Sequence, residues 1–173
     1  MQFKIGDQVV HPAYGIGLIA KIEEKQFSQK SAAHLYYQIT MPNRNTIWTP
    51  VEAQGASGLR LVTAKSDLDQ YRNLLKSQPT HLEKNHRHRY LELISRLKLG
   101  SFQVTCEVVR DLTLADRKRP LGVTNKTILR TTRERLYQEW AVADDISIDE
   151  ATTEVRSLLG REAKGEESCE LSP

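Results

Sequence analysis

An N-terminal five-stranded antiparallel β-barrel followed by a compact all-α helical domain is the fold class this sequence predicts, and three observations predict it. Up to residue 64 the chain alternates short β-branched and aromatic runs with glycine, proline and asparagine turns, the pattern of strands in a small barrel. Beyond that point apolar residues recur every three or four positions, which is helical spacing. Charge is segregated along the chain: residues 1–71 carry 7 Lys/Arg and 6 Asp/Glu, residues 72–135 carry 15 and 6, and residues 136–173 carry 3 and 10. The middle block is a candidate surface for a polyanion such as nucleic acid.

The strands come first. Gly6-Asp7 and Pro12 bracket the β-branched pair Val9-Val10, so a short strand lies between two turns. Gly15 and Gly17 open the next strand, Ile16 to Ile22, where Ile16, Leu18, Ala20 and Ile22 alternate with Gly17, Ile19 and Lys21 and, apart from Ile19, give the period-two pattern of a half-buried strand. A polar run, Glu23 to Gln26, and a loop from Ser28 to Ala33 follow. Leu35 to Met41 is rich in aromatic and β-branched residues and makes the third strand. After a turn at Pro42-Asn43, Thr46 to Val51 makes the fourth, with Pro50 marking a strand end or an edge because it has no N–H for a ladder. Gly55 and Gly58 bracket the turn before a short last strand, Leu59 to Val62.

The helices follow. Leu68, Tyr71, Leu74 and Leu75 share a helical face, broken at Ser77-Gln78-Pro79. From His81 the chain reads as helical, with Tyr90, Leu93, Ile94 and Leu97 apolar and Gly100 a left-handed stop. Ser101 is placed to cap the next helix, whose inward stripe is Val104, Val108, Val109, Leu112 and Ala115. Thr124 is expected to cap a third, with Leu129, Thr132, Leu136, Trp140 and Ala143 on one face, ended at Asp144-Asp145. Ser147 and Glu150 have capping-box spacing and start a last helix with Ile148, Ala151, Val155, Leu158 and Leu159 inward and Gly160 as its stop. The expected division is 1–64 barrel, 65–160 helical domain and 161–173 a flexible charged tail.

Composition narrows the function classes. A chain of 173 residues with 39% hydrophobic and 27% charged residues describes a soluble globular protein of one ordinary domain or two small ones. No apolar run reaches the ~18 residues a membrane span needs, and Met1 leads straight into the first strand without a leader, so a cytoplasmic location is expected. Cys106, in a helix, and Cys169, in a polar stretch, make neither a disulfide framework nor a zinc site. No G-x-S-x-G elbow is present; His86 and His88, two apart, do not share a helix face for a metal. No catalytic residue, metal or cofactor is expected, and the chain is not read as an enzyme.

The basic block offers phosphate anchors. Lys84, Arg87, His88 and Arg89 flank a helix start, and Arg117, Lys118 and Arg119 occupy a turn. Lys126, Arg130 and Arg133 recur at helical spacing and are expected on one outer face. Such groups bring affinity for nucleic acid without base readout. Trp140 is expected in the core; Trp48 suits a barrel core or an exposed anchor equally well.

The opening Phe3, Gly6, Asp7, Val9, Val10, Pro12, Gly15 and Gly17, with Arg89-Tyr90, Glu107 to Leu112, Pro120-Leu121 and Ser147 to Glu150 in that order, resembles the CarD/CdnL family of bacterial RNA-polymerase-binding regulators over residues 3–160. No P-loop or helicase motif follows, which separates the chain from a transcription-repair translocase. The resemblance implies a Tudor-like barrel that adds an edge to a sheet of the RNA polymerase β subunit, with Lys25 and Trp48 at matching contact positions. It implies a helical domain on promoter DNA at the upstream edge of the bubble, stabilising the open complex. The DNA-binding set is then His86, Arg87, His88, Arg89, Arg119, Lys126, Arg130 and Arg133, with Lys126 at a family basic position. His86 stands where the family has a tryptophan wedge, the chief departure from the pattern. A monomer associated with the nucleoid is expected. The alternative is a polymerase-docked protein-interaction adaptor without wedge activity, in which the helices and the acidic stretch from residue 139 bind a second protein.

Overall fold

The computed structural model describes residues 3–26, 32–53 and 57–160. The expected turn at Gly55, most of the loop after Ser28 and the charged tail 161–173 lie outside these residues. The strands are β1 (Gln8–His11), β2 (Gly15–Lys25), β3 (His34–Thr40), β4 (Thr46–Pro50) and β5 (Arg60–Leu61). They form one sheet in the order β4-β3-β2-β1-β5, every pairing antiparallel. β4 and β5 are its two edges, so this Tudor-like barrel keeps an open seam. Phe3, Val9, Ile19, Tyr37, Ile39, Met41 and Leu59 fill it; the Phe3 ring packs 5.5 Å from Tyr37, whose hydroxyl accepts from Phe3 N.

β2 differs from its expected pattern in length and in phase. It continues through the charged run to Lys25, because Glu23, Glu24 and Lys25 pair with Tyr36, Leu35 and His34 of β3. Its interior residues are Gly17 and Ile19, and Leu18 points to solvent. A bulge explains this: Ile19 pairs with Ile39 and Lys21 with Gln38, so one extra residue is absorbed and Ile22 returns to the core opposite Tyr37. A single inserted residue reverses the phase of a period-two pattern. Gly17 is also a close-approach site, since a Cβ there would lie 2.5 Å from Ile39 Cγ2.

A 3₁₀ turn at Lys65–Asp67 leads to α1 (Leu68–Lys76), α2 (His86–Lys98), α3 (Phe102–Lys118), α4 (Val123–Asp144) and α5 (Ile148–Gly160). Their shared core includes Leu68, Leu75, Leu93, Phe102, Val109, Leu112, Leu136, Trp140 and Val155. Trp140 is fully buried, and its indole N–H donates to Glu154 at 3.1 Å. Cys106 is buried in this core, which pushes its thiol pKa well up.

Three helix starts differ from their sequence reading. α2 begins at His86, not His81, because the Asn85 side chain accepts from Arg87 N and His88 N and caps the helix there. Gly122, not Thr124, is the N-cap of α4, and Thr124 sits inside the first turn. Ser101 does occupy the N-cap of α3, but only its carbonyl works, accepting from Thr105 N and Oγ1. The capping box of α5 forms as spaced: Ser147 Oγ accepts from Glu150 N, and Glu150 accepts from Ser147 N and Oγ. Those bonds hold the Glu150 carboxyl below its usual pKa. Ile148, expected inward, is 54% exposed; as the first residue of α5 it precedes the turn that meets the core. Gly100 has φ +67 and ends α2, as a left-handed stop requires, and Asp145 ends α4 at φ 60.

The two regions are clamped together. Arg60 on β5 makes a two-point ion pair with Glu139 of α4, at 2.5 and 2.8 Å, and donates to Gly100 O. Glu139 also accepts from Thr63 N and Oγ1. Arg135 of α4 reaches Pro12 O at 2.9 Å. Pro12 is wedged against Gly58 and Gly100, where added Cβ atoms would lie 2.8 and 3.4 Å from its Cγ.

Candidate functional site

Two surfaces carry the candidate residues, one on each region. The first is the free edge of β4. Met41 N donates to Asn45 O, and Val51 N donates to Leu35 O. Bonded pairs alternate along an antiparallel ladder, so Asn45, Ile47, Thr49 and Val51 turn their backbone groups toward β3. Thr46, Trp48 and Pro50 turn theirs to the open edge, where Pro50 offers a carbonyl but no N–H. The edge can therefore accept another strand over residues 46–48, and the proline limits its length.

The side chains of β4 sort the other way. Thr49 is buried and Ile47 packs on the barrel core, which puts Trp48 on the outer face. Its indole is half-buried beneath the Lys25 ammonium, 3.2 Å from the ring centroid. Lys25 Nζ also lies 3.7 Å from Glu23 Oε1. The structure thus brings Lys25 and Trp48, distant in sequence, into one cation–π pair beside the free edge. The extension of β2 through Lys25 makes this contact, and an end of β2 at Ile22 would have left Lys25 in a loop.

The second surface is where the starts of α2 and α4 converge. His86, Arg87, Tyr90, Val123 and Thr124 line an open groove of about 500 Å³ there. Both helix N-termini point their partial positive ends toward this place. Gly122 provides no side-chain cap for α4. Arg87, His88, Lys126 and Arg130 are exposed along the same helices, and Arg119 is exposed at the end of α3. This arrangement is suited to hold phosphates by charge and backbone N–H groups.

The remaining predicted residues have internal partners. Arg89 donates to Glu83 O at 3.1 Å and to His86 Nδ1 at 2.7 Å. Guanidinium nitrogens only donate, so His86 accepts through Nδ1 and its ring is oriented by Arg89. The buried Asn125 of α4, with its amide oxygen turned to the guanidinium, accepts from Arg89 at 2.9 and 3.0 Å. Arg89 therefore fixes α2 to α4. Arg133 does not share the outer face of Lys126 and Arg130. It turns toward α3, where it donates to Thr113 Oγ1 at 3.1 Å and buries its Nε. An i, i+4, i+7 series keeps to a stripe about 60° wide, and Arg133 leaves it only by extending its long side chain to Thr113 of α3.

Sequence reasoning missed an adjoining apolar groove of about 730 Å³, lined by Tyr90, Ile94, Leu97, Val123 and Thr127 with Lys98 and Arg135 at its rim. Val123 is 83% exposed, an apolar residue in the first turn of α4. The signal was present in the sequence, as Val123 falls outside the Leu129–Leu136 stripe. Among the described residues no cluster of His, Cys, Asp and Glu could hold a metal, and no helix is long and apolar enough to cross a membrane.

Comparison with known proteins covers both regions. The family "CarD-like/TRCF RID domain" matches residues 3–62, and "CarD, C-terminal domain" matches residues 70–156. A curated relative from Bacillus subtilis (strain 168), named "Putative transcription factor YdeB", is 31% identical over 146 residues, covering 84% of this chain and 94% of the relative.

Proposed function

This chain belongs to the CarD family of transcription factors, and on that premise we propose that it regulates transcription by a two-point attachment to the RNA polymerase–promoter complex. The β4 edge adds to a sheet of the polymerase β subunit, with Trp48 and Lys25 as side-chain anchors. The converging starts of α2 and α4 hold promoter DNA at the upstream edge of the bubble through Arg87, His88, Lys126, Arg130 and Arg119. The observation that carries this reading is the Lys25–Trp48 pair beside an unpaired strand edge, because strand addition takes affinity from backbone bonds and selectivity from flanking side chains.

Each attachment can be weak. Joined on one complex, the second contact forms at the effective concentration set by the first. Contacts made better in the open complex than in the closed one shift that equilibrium toward open, about tenfold for each 1.4 kcal/mol of difference. His86 occupies the wedge position but is oriented by Arg89. An imidazole props an unstacked base step less well than an indole, so the reading assigns DNA affinity to the cations. Arg89 and Arg133 enter as supports for the helices.

Binding to polymerase holoenzyme on a forked promoter, beside free fork DNA, across a salt series tests this. The expected result is tight binding with polymerase present and weaker, salt-sensitive binding to DNA alone. Trp48→Ala should weaken polymerase binding by about 2 kcal/mol, near thirtyfold. Lys126→Ala with Arg130→Ala should lower the salt slope on fork DNA by about two. Polymerase binding with no DNA contribution at any salt would instead favour the adaptor, with the apolar groove beside Tyr90 and Val123 as its docking face.

A further inference from the structure

An open groove of about 1060 Å³ lies between the barrel and the helical region, and it shares no residue with the basic groove at the starts of α2 and α4. Tyr14, Met41 and Ile47 line it from the barrel, and Val142, Ile146 and Ile148 from the end of α4 and the start of α5. Tyr14 is 62% exposed and Ile148 54%. Large apolar side chains left this open on both walls of one groove mark an interaction surface. Among the described residues, Asp145 is the one charged residue of the lining, and it is exposed and makes no ion pair. Its neighbour Asp144, by contrast, is held by Lys65 and Arg72.

The groove also reaches the free edge of β4. Thr46 and Ile47 both line it, although successive side chains of a strand point to opposite faces, so the groove passes round the start of β4. Thr46 turns its backbone groups to the open edge, and Pro50 at the far end has no N–H to offer. A strand added to β4 therefore runs on over the groove beyond Thr46. We propose that the polymerase segment that adds to β4 continues into this groove, seating an apolar side chain on its walls and a lysine or arginine against Asp145. Two features select this occupant: the groove is continuous with the β4 edge, and a lone carboxylate in an otherwise uncharged lining favours a cation. The occupant rests on the strand addition proposed above, and it extends the polymerase contact from the barrel to the helical region. The pairing of Arg60 with Glu139, which holds α4 to the barrel, then sets the spacing of the two walls.

Binding of the full chain to RNA polymerase core enzyme without DNA tests this, with Trp48→Ala marking the β4 edge. Ile148→Ser should weaken binding about tenfold, the loss expected when a half-exposed isoleucine no longer becomes buried. Asp145→Asn keeps a residue that tolerates the left-handed conformation at φ 60. It should weaken binding about threefold at about 0.05 M salt and have no effect at about 0.5 M. Contact is read directly by a benzophenone on Thr46→Cys or on Ile148→Cys, each combined with Cys169→Ser, since Cys106 is fully buried. Both should crosslink to the same polymerase subunit. Weakening by Trp48→Ala with neither groove variant having an effect, or capture of different subunits from positions 46 and 148, overturns the proposal and leaves the β4 edge standing. No effect from any of the three substitutions removes the edge reading and the groove with it. If Ile148→Ser weakens self-association of the protein and not core binding, the groove belongs to a second copy of the chain, and the proposal is likewise overturned.

Discussion

The barrel and the helical region solve the problem of a polar interior in opposite ways. Among the described residues the barrel core has seven buried apolar residues and one buried polar side chain, Thr49. Its backbone groups are met by the ladders, so nothing charged need enter. The helical region buries Arg110, Asp111, Asn125, Thr132 and Glu139. Apart from Thr132, each of these ties a neighbouring segment to a helix. Arg110 donates to Ser77 Oγ and Thr80 Oγ1, while Asp111 accepts from Thr80 N, and together they fix the connector between α1 and α2. Asn125 holds Arg89, and Glu139 holds β5. Sheets satisfy their neighbours through the main chain; helices satisfy only themselves, and their packing partners must be pinned by side chains.

That contrast can be broken hardest at Glu139. Glu139→Ala leaves Arg60 and Thr63 without their shared acceptor, and breaking a largely buried pair costs about 3 kcal/mol. Urea unfolding should show the loss, with the barrel and helical transitions separating where the parent shows one. A single coincident transition at unchanged midpoint would mean that Pro12, Gly58 and Gly100 hold the regions together without the clamp.

Gly17→Ala probes the barrel side, where shape and not charge is decisive. The added methyl meets Ile39, Met41 and the Thr40 carbonyl, and overpacking of this kind costs about 2 kcal/mol. The double variant with Ile39→Ala, which removes the Cγ2 that clashes, should be less destabilised than the sum of the two single variants, measured in the same denaturant titration.

A smaller effect, about 1 kcal/mol, is expected for Ser147→Ala, which removes the cap of α5. Hydrogen exchange should rise in the first turn of α5 and not in the barrel. The same substitution should relieve only part of the lowering of the Glu150 pKa, visible by carboxyl titration, because the larger cause, the Ser147 backbone N–H, remains.

The smallest effect near neutrality is the pH dependence, which also divides by region. On the barrel side, burial lowers the His11 pKa from its usual 6.5. The folded state therefore favours the neutral ring, and stability is lost as pH falls below that value. In the helical region, burial alone would raise the Asp144 pKa, but Lys65 and Arg72 outweigh it and hold it below 3.8. Its contribution is intact above that value and lost only as pH falls further. Acid titration of stability should thus begin to decline with His11 and steepen later with Asp144; His11→Gln should remove the earlier part alone.

Much of the fold was legible because its signals are local. Turn formers between β-branched runs placed the strands, the Ser147–Glu150 spacing placed a capping box, and helical periodicity put Leu136 and Trp140 in the core. The phase of β2 was not legible, since a bulge leaves no mark in the spacing of Ile16, Leu18 and Ile22. The start of α2 turned on whether Asn85 or an earlier polar residue would cap, which depends on where Leu82 and the connector pack.

The candidate site divides along the same line. The sequence by itself determined the family, the order of barrel and helices, and the concentration of Lys and Arg between residues 72 and 135, because these follow from residue types and short spacings. Only the tertiary structure decided that Lys25 lies over Trp48 beside a free edge, that Arg89 and Arg133 are held inside the helical region, and that Arg60 closes on Glu139. Those partners are brought together by long-range packing, which sets distances and desolvation that no spacing along the chain encodes.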